Sequence, residues 1–169
     1  EKNGRPWWFH EDRQPEEPTV YPGAIPSEDV KRRIFNWEAQ ERPVYIGGAN
    51  GELLEVNNRK AIVHGDSNHV FKVAHNEYQI HQYQEVLFQK VKDILDDGEL
   101  HIGSAGLLRR GAGAFMTVEL SESLISQCGL KLKPRLLAAT SHDSKLATTY
   151  MMVGTIVVCD NTLAGSCRK

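Results

Sequence analysis

The stretch Gly103-Ser104-Ala105-Gly106-Leu107-Leu108-Arg109-Arg110-Gly111-Ala112-Gly113-Ala114-Phe115-Met116-Thr117-Val118-Glu119-Leu120 reads as two strands about a tight turn. Strand-like sequence from Glu99 to Leu108, and again from Ala112 to Leu120, flanks Arg109-Arg110-Gly111, and the glycine supplies the positive φ that a hairpin turn wants. Downstream, Arg135 to Ser141 and Leu146 to Met152 form a second pair of strands around His142-Asp143-Ser144-Lys145. Thr155-Ile156-Val157-Val158-Cys159 is short and continuously apolar, the mark of a central buried strand.

Upstream of the hairpin, Val86, Leu87, Val91, Ile94 and Leu95 fall on one face of a helix predicted over Gln82 to Asp97, with Gly98 at its stop. Before it lie four strand-like runs: Pro43-Val44-Tyr45-Ile46, Glu52-Leu53-Leu54-Glu55-Val56, Lys60-Ala61-Ile62-Val63-His64 and His69-Val70-Phe71-Lys72-Val73. Turn residues at Gly47-Gly48, Asn57-Asn58 and Gly65-Asp66 separate them, which predicts an antiparallel meander. Ser27 as a side-chain cap, with Glu28 and Asp29 in the first turn, starts a short amphipathic helix over 27–38. Residues 1–26 hold five of the seven prolines and read as an extended arm, whose Trp7, Trp8 and Phe9 favour packing on the domain or on a neighbouring subunit. The expected architecture is one α+β domain over 27–169: a largely antiparallel sheet of about six to eight strands, one long helix and one short N-terminal helix.

Composition narrows the function classes. The 169 residues and 19.0 kDa suit one domain with a real core, and 40% hydrophobic with 25% charged residues is ordinary for a folded chain. A net charge of −2 and pI near 6.4 give no global attraction for polyanions, so any such site must be a local patch. No apolar run approaches the roughly 20 residues a membrane helix needs. Cys128, Cys159 and Cys167 are odd in number and lack CxxC spacing, which points to a reducing cytoplasm. Glu1 stands where Met would begin a chain, so the sequence is read as trimmed.

The order of motifs resembles the family usually called phage/plasmid-like proteins, a domain of unknown function. Its Tyr-x-x-x-Gln, Ala-Gly-x-Leu-Arg-x-Gly, His-Asp turn and Val-Val-Cys-x-Asn-Thr-Leu segments are matched by Tyr78 with Gln82, by Ala105 to Gly111, by Thr140 to Ser144, and by Val157 to Leu163. The similarity runs over residues 30 to 163; Ser144 stands where the family has glycine after His-Asp. The element order is also similar to the core of single-strand annealing recombinases, which assemble as rings with a basic groove. The resemblance implies a non-enzymatic protein that binds or anneals single-stranded DNA as a homo-oligomer. The alternative is a module that docks on a host protein.

The candidate nucleic-acid contacts are Arg109, Arg110, Lys131, Lys133, Arg135 and Lys145, in or beside the C-terminal hairpins, together with His142 and Asn161. An ordinary solvated surface is the competing account, since Glu119 and Glu122 lie nearby. Trp7, Trp8, Tyr78, Tyr83 and Tyr150 are the rings available for base stacking, or else for the core. His142-Asp143 between Ser141 and Ser144 invites a hydrolase reading, but neighbours in a tight turn point apart and no nucleophile elbow is present, so no catalytic residue is assigned. His64, His69, His75, His81 and His101 lack the i, i+4 spacing of a helical zinc motif, and Gly111-Ala112-Gly113 lacks the Lys-Ser/Thr of a phosphate loop. Neither a metal nor a cofactor is expected.

Overall fold

The computed structural model describes residues 5–6, 20–95, 100–120, 124–125, 131–132 and 134–153. Arg5–Pro6 (β1) pairs antiparallel with Val20–Tyr21 (β2), so part of the expected arm folds back on itself. Helix α1 spans Ser27–Ile34 and begins one residue earlier than a Ser27 cap implies: Pro26 takes the cap position, and Ser27 is the first helical residue. Proline needs no backbone donor there, and its restricted φ suits an entry into helix. The helix stops at Phe35, and Trp37 Nε1 donates to the Ile34 carbonyl at 3.1 Å, satisfying an end group that the helix itself leaves open.

Three antiparallel strands follow, Ala39–Gly47 (β3), Leu53–His64 (β4) and Val70–His75 (β5), in the order β3-β4-β5. The turn expected at Asn57-Asn58 does not form. β4 runs straight through it, and the extra residues are absorbed in a bulge where Pro43 pairs with Lys60 and Tyr45 with Glu55. A helical segment then crosses to the next layer, in π geometry over Glu85–Gln89 and as α2 over Lys90–Leu95.

The second sheet is built from Ile102–Leu108 (β6), Gly113–Glu119 (β7), Arg135–Ser141 (β10) and Thr149–Val153 (β11), in the antiparallel order β11-β10-β7-β6. Leu124–Ile125 (β8) and Lys131–Leu132 (β9) make a small separate pair. The strand expected at Thr155 to Cys159 lies outside the described residues.

The α+β layout with a long helix is therefore overturned. Among the described residues, the seven strands of the two larger sheets, three in one and four in the other, make the fold mostly antiparallel β, with two α-helices of which one is short. The physical reason lies in two places. The apolar face predicted for one long helix is split between the π turn, which buries Val86, Leu87 and Phe88, and a single turn and a half of α2, which buries Val91 and leaves Ile94 half exposed. That segment also carries the chain across a sheet face, so β6 starts a new sheet instead of extending the meander.

β7 and β10 are central and buried on both faces. One face carries Ala114, Met116, Val118, Leu136 and Ala138 against Val30, Ile34 and Phe35 of the α1 region, the π segment and Ile62 of β4. The other carries Phe115, Leu137 and Ala139 with Leu108, Met151 and Val153. Each large side chain withdrawn from water here contributes about 1.5–3 kcal/mol before entropy is counted. Ser104 and Thr117, fully buried on facing strands, hydrogen-bond each other at 2.7 Å and so avoid the cost of an unpaired hydroxyl.

Two amides tie the helical segment to the first part of the chain. Gln82 Nε2 donates to the Ala39 carbonyl at 2.9 Å while its Oε1 accepts from the Ala39 N–H at 3.0 Å, as a neighbouring strand would. Gln84 Nε2 donates to the Phe35 carbonyl at 2.6 Å. On the far side, the Tyr150 hydroxyl of β11 donates to the Val86 carbonyl at 2.9 Å. No helix among the described residues is long and apolar enough to cross a membrane.

Candidate functional site

Register decides which of the sequence-predicted cations meet. Ser141 pairs with Gly113 at one end of the β7–β10 ladder, and Arg135 pairs with Glu119 at the other. Six residues separate the ends, about 20 Å at the rise of a strand. The turn between β6 and β7 and the turn between β10 and β11 thus share one end, bringing Arg109, Arg110, His142 and Lys145 together. Arg135 stands apart, its guanidinium donating to Glu119 Oε1 from Nε (3.2 Å) and Nη2 (2.9 Å) with both side chains largely buried. Lys131 starts β9, and nothing is described of its side chain; Lys133 and Asn161 lie outside the described residues. The six-residue basic set is not a single patch.

The two turns are strained in the same sense. Arg109, Arg110 and Gly111 follow one another at φ 52°, 55° and 84°, and Ser144 in the other turn has φ 60°. The Ala112 N–H donates to the Arg109 carbonyl at 3.1 Å, closing a tight turn with Arg110 and Gly111 at its centre, both left-handed as a primed hairpin turn demands. Arginine and serine there cost about 1–2 kcal/mol each relative to glycine. Gly111 has a further constraint, since an added Cβ would lie 3.3 Å from Trp37 Cζ2.

A box of rings props these turns from beneath. His142 lies flat on Tyr83, centroids 4.1 Å apart and planes at 20°, and stacks on Phe71 at 5.5 Å. Trp37 stacks on His64 at 3.9 Å and meets Tyr83 edge-on at 5.6 Å. The Tyr83 hydroxyl donates to the Gly111 carbonyl at 2.8 Å, and the His142 N–H donates to the Ala112 carbonyl at 2.8 Å, so each turn is held to the other and to the box. Burial, reinforced by the nearby Lys72 cation, holds the His142 imidazole down at about 4 against the opposing pull of Asp143, so the ring is neutral at pH 7. Burial likewise raises the Tyr83 phenol far above its ordinary value and lowers His64.

Above the box sits the polar rim. Arg109 Nε donates to Asp143 Oδ2 at 3.1 Å, and the Lys145 N–H donates to Asp143 Oδ1 at 3.0 Å, the self-bonded turn expected for this aspartate. Burial opposes ionisation of Asp143, but the Lys145 amide and Arg109 outweigh it and hold the carboxyl below its ordinary value. Lys72, from β5, reaches across the gap between the sheets. Its Nζ donates to Ser144 Oγ at 2.6 Å and lies 3.2 Å from the centre of the Tyr78 ring. Beside it opens a cleft of about 360 Å³ lined by Tyr78, His81, Ser144, Leu146, Ala147 and Thr148, with Thr140 and Ser141 at its floor.

Chemically, this arrangement offers a turn end carrying several cations, with a small cleft beside it that is lined by one half-buried ring and several hydroxyls. It does not offer an activated nucleophile: Ser141 Oγ is bonded to the Leu146 N–H and carbonyl at 3.0 Å each, Asp143 faces Arg109, and the His142 ring is packed among aromatics. Among the described residues no group of three or more His, Cys, Asp or Glu side chains is placed to hold a metal ion. Sequence reasoning missed Lys72 altogether, because a lysine in a strand carries no signal of its own; only the contact between sheets brings it to the turns. Of the stacking candidates, Tyr83 and Tyr150 are taken up in packing, Tyr78 borders the cleft, and Trp7 and Trp8 lie outside the described residues.

Fold and site together define a mainly antiparallel β protein with a basic, strained turn end beside a small cleft of mixed polar and apolar lining. The chain belongs to the family described as a domain of unknown function (DUF932), whose model matches residues 70–169, more than half of it. The matched region begins inside the first sheet, at β5, and leaves α1, β3 and β4 upstream. No curated protein matches the chain, and no solved structure does.

Proposed function

We propose that the protein binds single-stranded DNA at the shared turn end, without catalysing a reaction on it. Lys72, Arg109, Arg110 and Lys145 would meet successive phosphates, and the cleft walled by Tyr78, Leu146 and Ala147 would receive an unstacked base. The observation that supports this reading is that Lys72 from β5 and Arg109, Arg110 and Lys145 from two turns stand at one end of the fold, next to a cleft of which Lys72 contacts Ser144 and Tyr78, on backbone kept in left-handed conformations at Arg109, Arg110 and Ser144. Strain of that kind persists where the surrounding structure over-determines it, and it concentrates at binding sites. A single strand suits the cleft better than a duplex, because a base must leave its stack to enter. The resemblance to phage- and plasmid-borne proteins is in keeping with such a role.

The test is fluorescence polarisation of a labelled single-stranded oligonucleotide, with the matching duplex as comparison, at two salt concentrations. Binding that prefers the single strand and weakens steeply with salt is expected. A folded protein that leaves the oligonucleotide free at low salt overturns the reading.

A further inference from the structure

Donors and acceptors are unevenly shared at the cleft beside the turn end. Lys72 Nζ stands at its edge, bonded to Ser144 Oγ and lying over the Tyr78 ring, both of which line the cleft. An ammonium can only donate, and its bond to Ser144 uses one of its three N–H groups while leaving the Ser144 proton to donate elsewhere.

Acceptors are scarcer. No carboxylate stands among the described residues that line the cleft. On its wall the Leu146 carbonyl already accepts from Ser141 Oγ at 3.0 Å, and the Ala147 carbonyl from Thr149 Oγ1 at 2.8 Å. The Thr140 and Thr148 hydroxyls are spent in part on each other, 2.8 Å apart. Leu146 and Ala147 add methyl groups to the lining.

The pyrimidine bases of DNA meet such a cleft differently. Thymine offers two keto oxygens and a C5-methyl group, whereas cytosine, of nearly the same size, has an exocyclic amino group in place of one keto oxygen and no methyl. An amino group brought beside Lys72 sets donor against donor and leaves both unpaired, which is the costly case away from water. A keto oxygen at the same place accepts from Lys72 or Ser144, and the methyl group has Leu146 and Ala147 to rest on.

We infer that the cleft selects a keto pyrimidine, thymine in a DNA strand, with Lys72 and Ser144 reading the keto oxygen. The inference rests on the DNA-binding reading and adds a base preference, which phosphate contacts alone do not carry.

Polarisation titrations of the full chain with labelled oligo-dT, oligo-dU and oligo-dC of one length test it. All three are pyrimidine strands, so purine stacking does not enter the comparison. Oligo-dT is expected to bind about tenfold more tightly than oligo-dC, with the same salt slope because the phosphates are the same. Oligo-dU should lie between them, no more than about fourfold weaker than oligo-dT, the worth of one buried methyl group. Ser144→Gly suits the left-handed φ of 60° and removes the hydroxyl, while Lys72→Met keeps an apolar stem and removes the cation. Each should bring the ratio of dT to dC affinity toward one, with circular dichroism showing the fold unchanged. Oligo-dC bound as well as oligo-dT or better, or a preference that survives both variants, overturns the base preference and leaves DNA binding in place. Three strands that all stay free at low salt overturn the DNA-binding reading and the base preference together.

Discussion

The imidazole of His142 rests on the phenol ring of Tyr83, centroids 4.1 Å apart, and the backbones of both turns at the basic end hang from that pair through Gly111 and Ala112. A neutral ring fits this stack and a charged one does not, which makes His142 a stability sensor. Its folded value of about 4 lies below the ordinary 6.5, so the unfolded chain takes up the proton first. Stability is then full above pH 6.5 and falls as pH drops toward 4, by roughly 3 kcal/mol across the window. His142→Phe keeps the ring and removes the proton acceptor. Urea denaturation at pH 7 and pH 5 should show a smaller loss in the variant than in the parent; equal losses would refute this assignment.

Gly111 answers to two demands at once, a φ of 84° and the closeness of Trp37. Gly111→Ala meets both the left-handed penalty and the indole, and is expected to cost about 1–3 kcal/mol, read as a lower midpoint in thermal or urea unfolding. A midpoint within error of the parent would show that the turn and Trp37 yield freely.

The basic residues should separate into two classes. Arg110→Ala and Lys145→Ala remove exposed cations at the turn end, and each should weaken oligonucleotide binding and reduce the slope of log K against log salt by about one. Arg135→Ala removes a partner from a largely buried ion pair at the opposite end and should lower stability while leaving that slope unchanged. A slope insensitive to both turn variants would remove the turn end from consideration as the phosphate contact.

Gln82 is bonded twice to one backbone residue, Ala39, and its loss leaves a part-buried N–H and carbonyl without their partner. Gln82→Ala is expected to cost about 2 kcal/mol, with faster hydrogen exchange at the Ala39 amide as the local sign. Unchanged exchange at that amide would count against the bond.

The local elements were legible where their signals were local. The Arg109-Arg110-Gly111 turn, the strand from Arg135 to Ser141 and the self-bonded Asp143 turn all follow from glycine, apolar runs and aspartate chemistry over a few residues. What failed depended on tertiary context. Asn57-Asn58 reads as a turn but is carried as a bulge because both flanks pair with β3, and the apolar periodicity of Gln82 to Asp97 cannot distinguish one long helix from a π turn followed by a short α segment. Of the residues the register brings to the turn end, Arg109, Arg110, His142 and Lys145 belong to the set that the sequence singles out. The division of the basic set came from register, which places Arg135 at the wrong end, and Lys72 came from a contact between sheets that no sequence pattern announces.

The bond from Gln82 to Ala39 has a bearing on where this family's unit begins. The matched region opens at Val70, yet β5 has its partner in β4, and the amides of Gln82 and Gln84 close on Ala39 and Phe35, all upstream of that point. Ile62, Phe35 and Trp37 fill the same core. A polypeptide cut at the family boundary would leave β5 without its partner β4 and Gln82 and Gln84 without Ala39 and Phe35, so the matched region leans on residues that precede it.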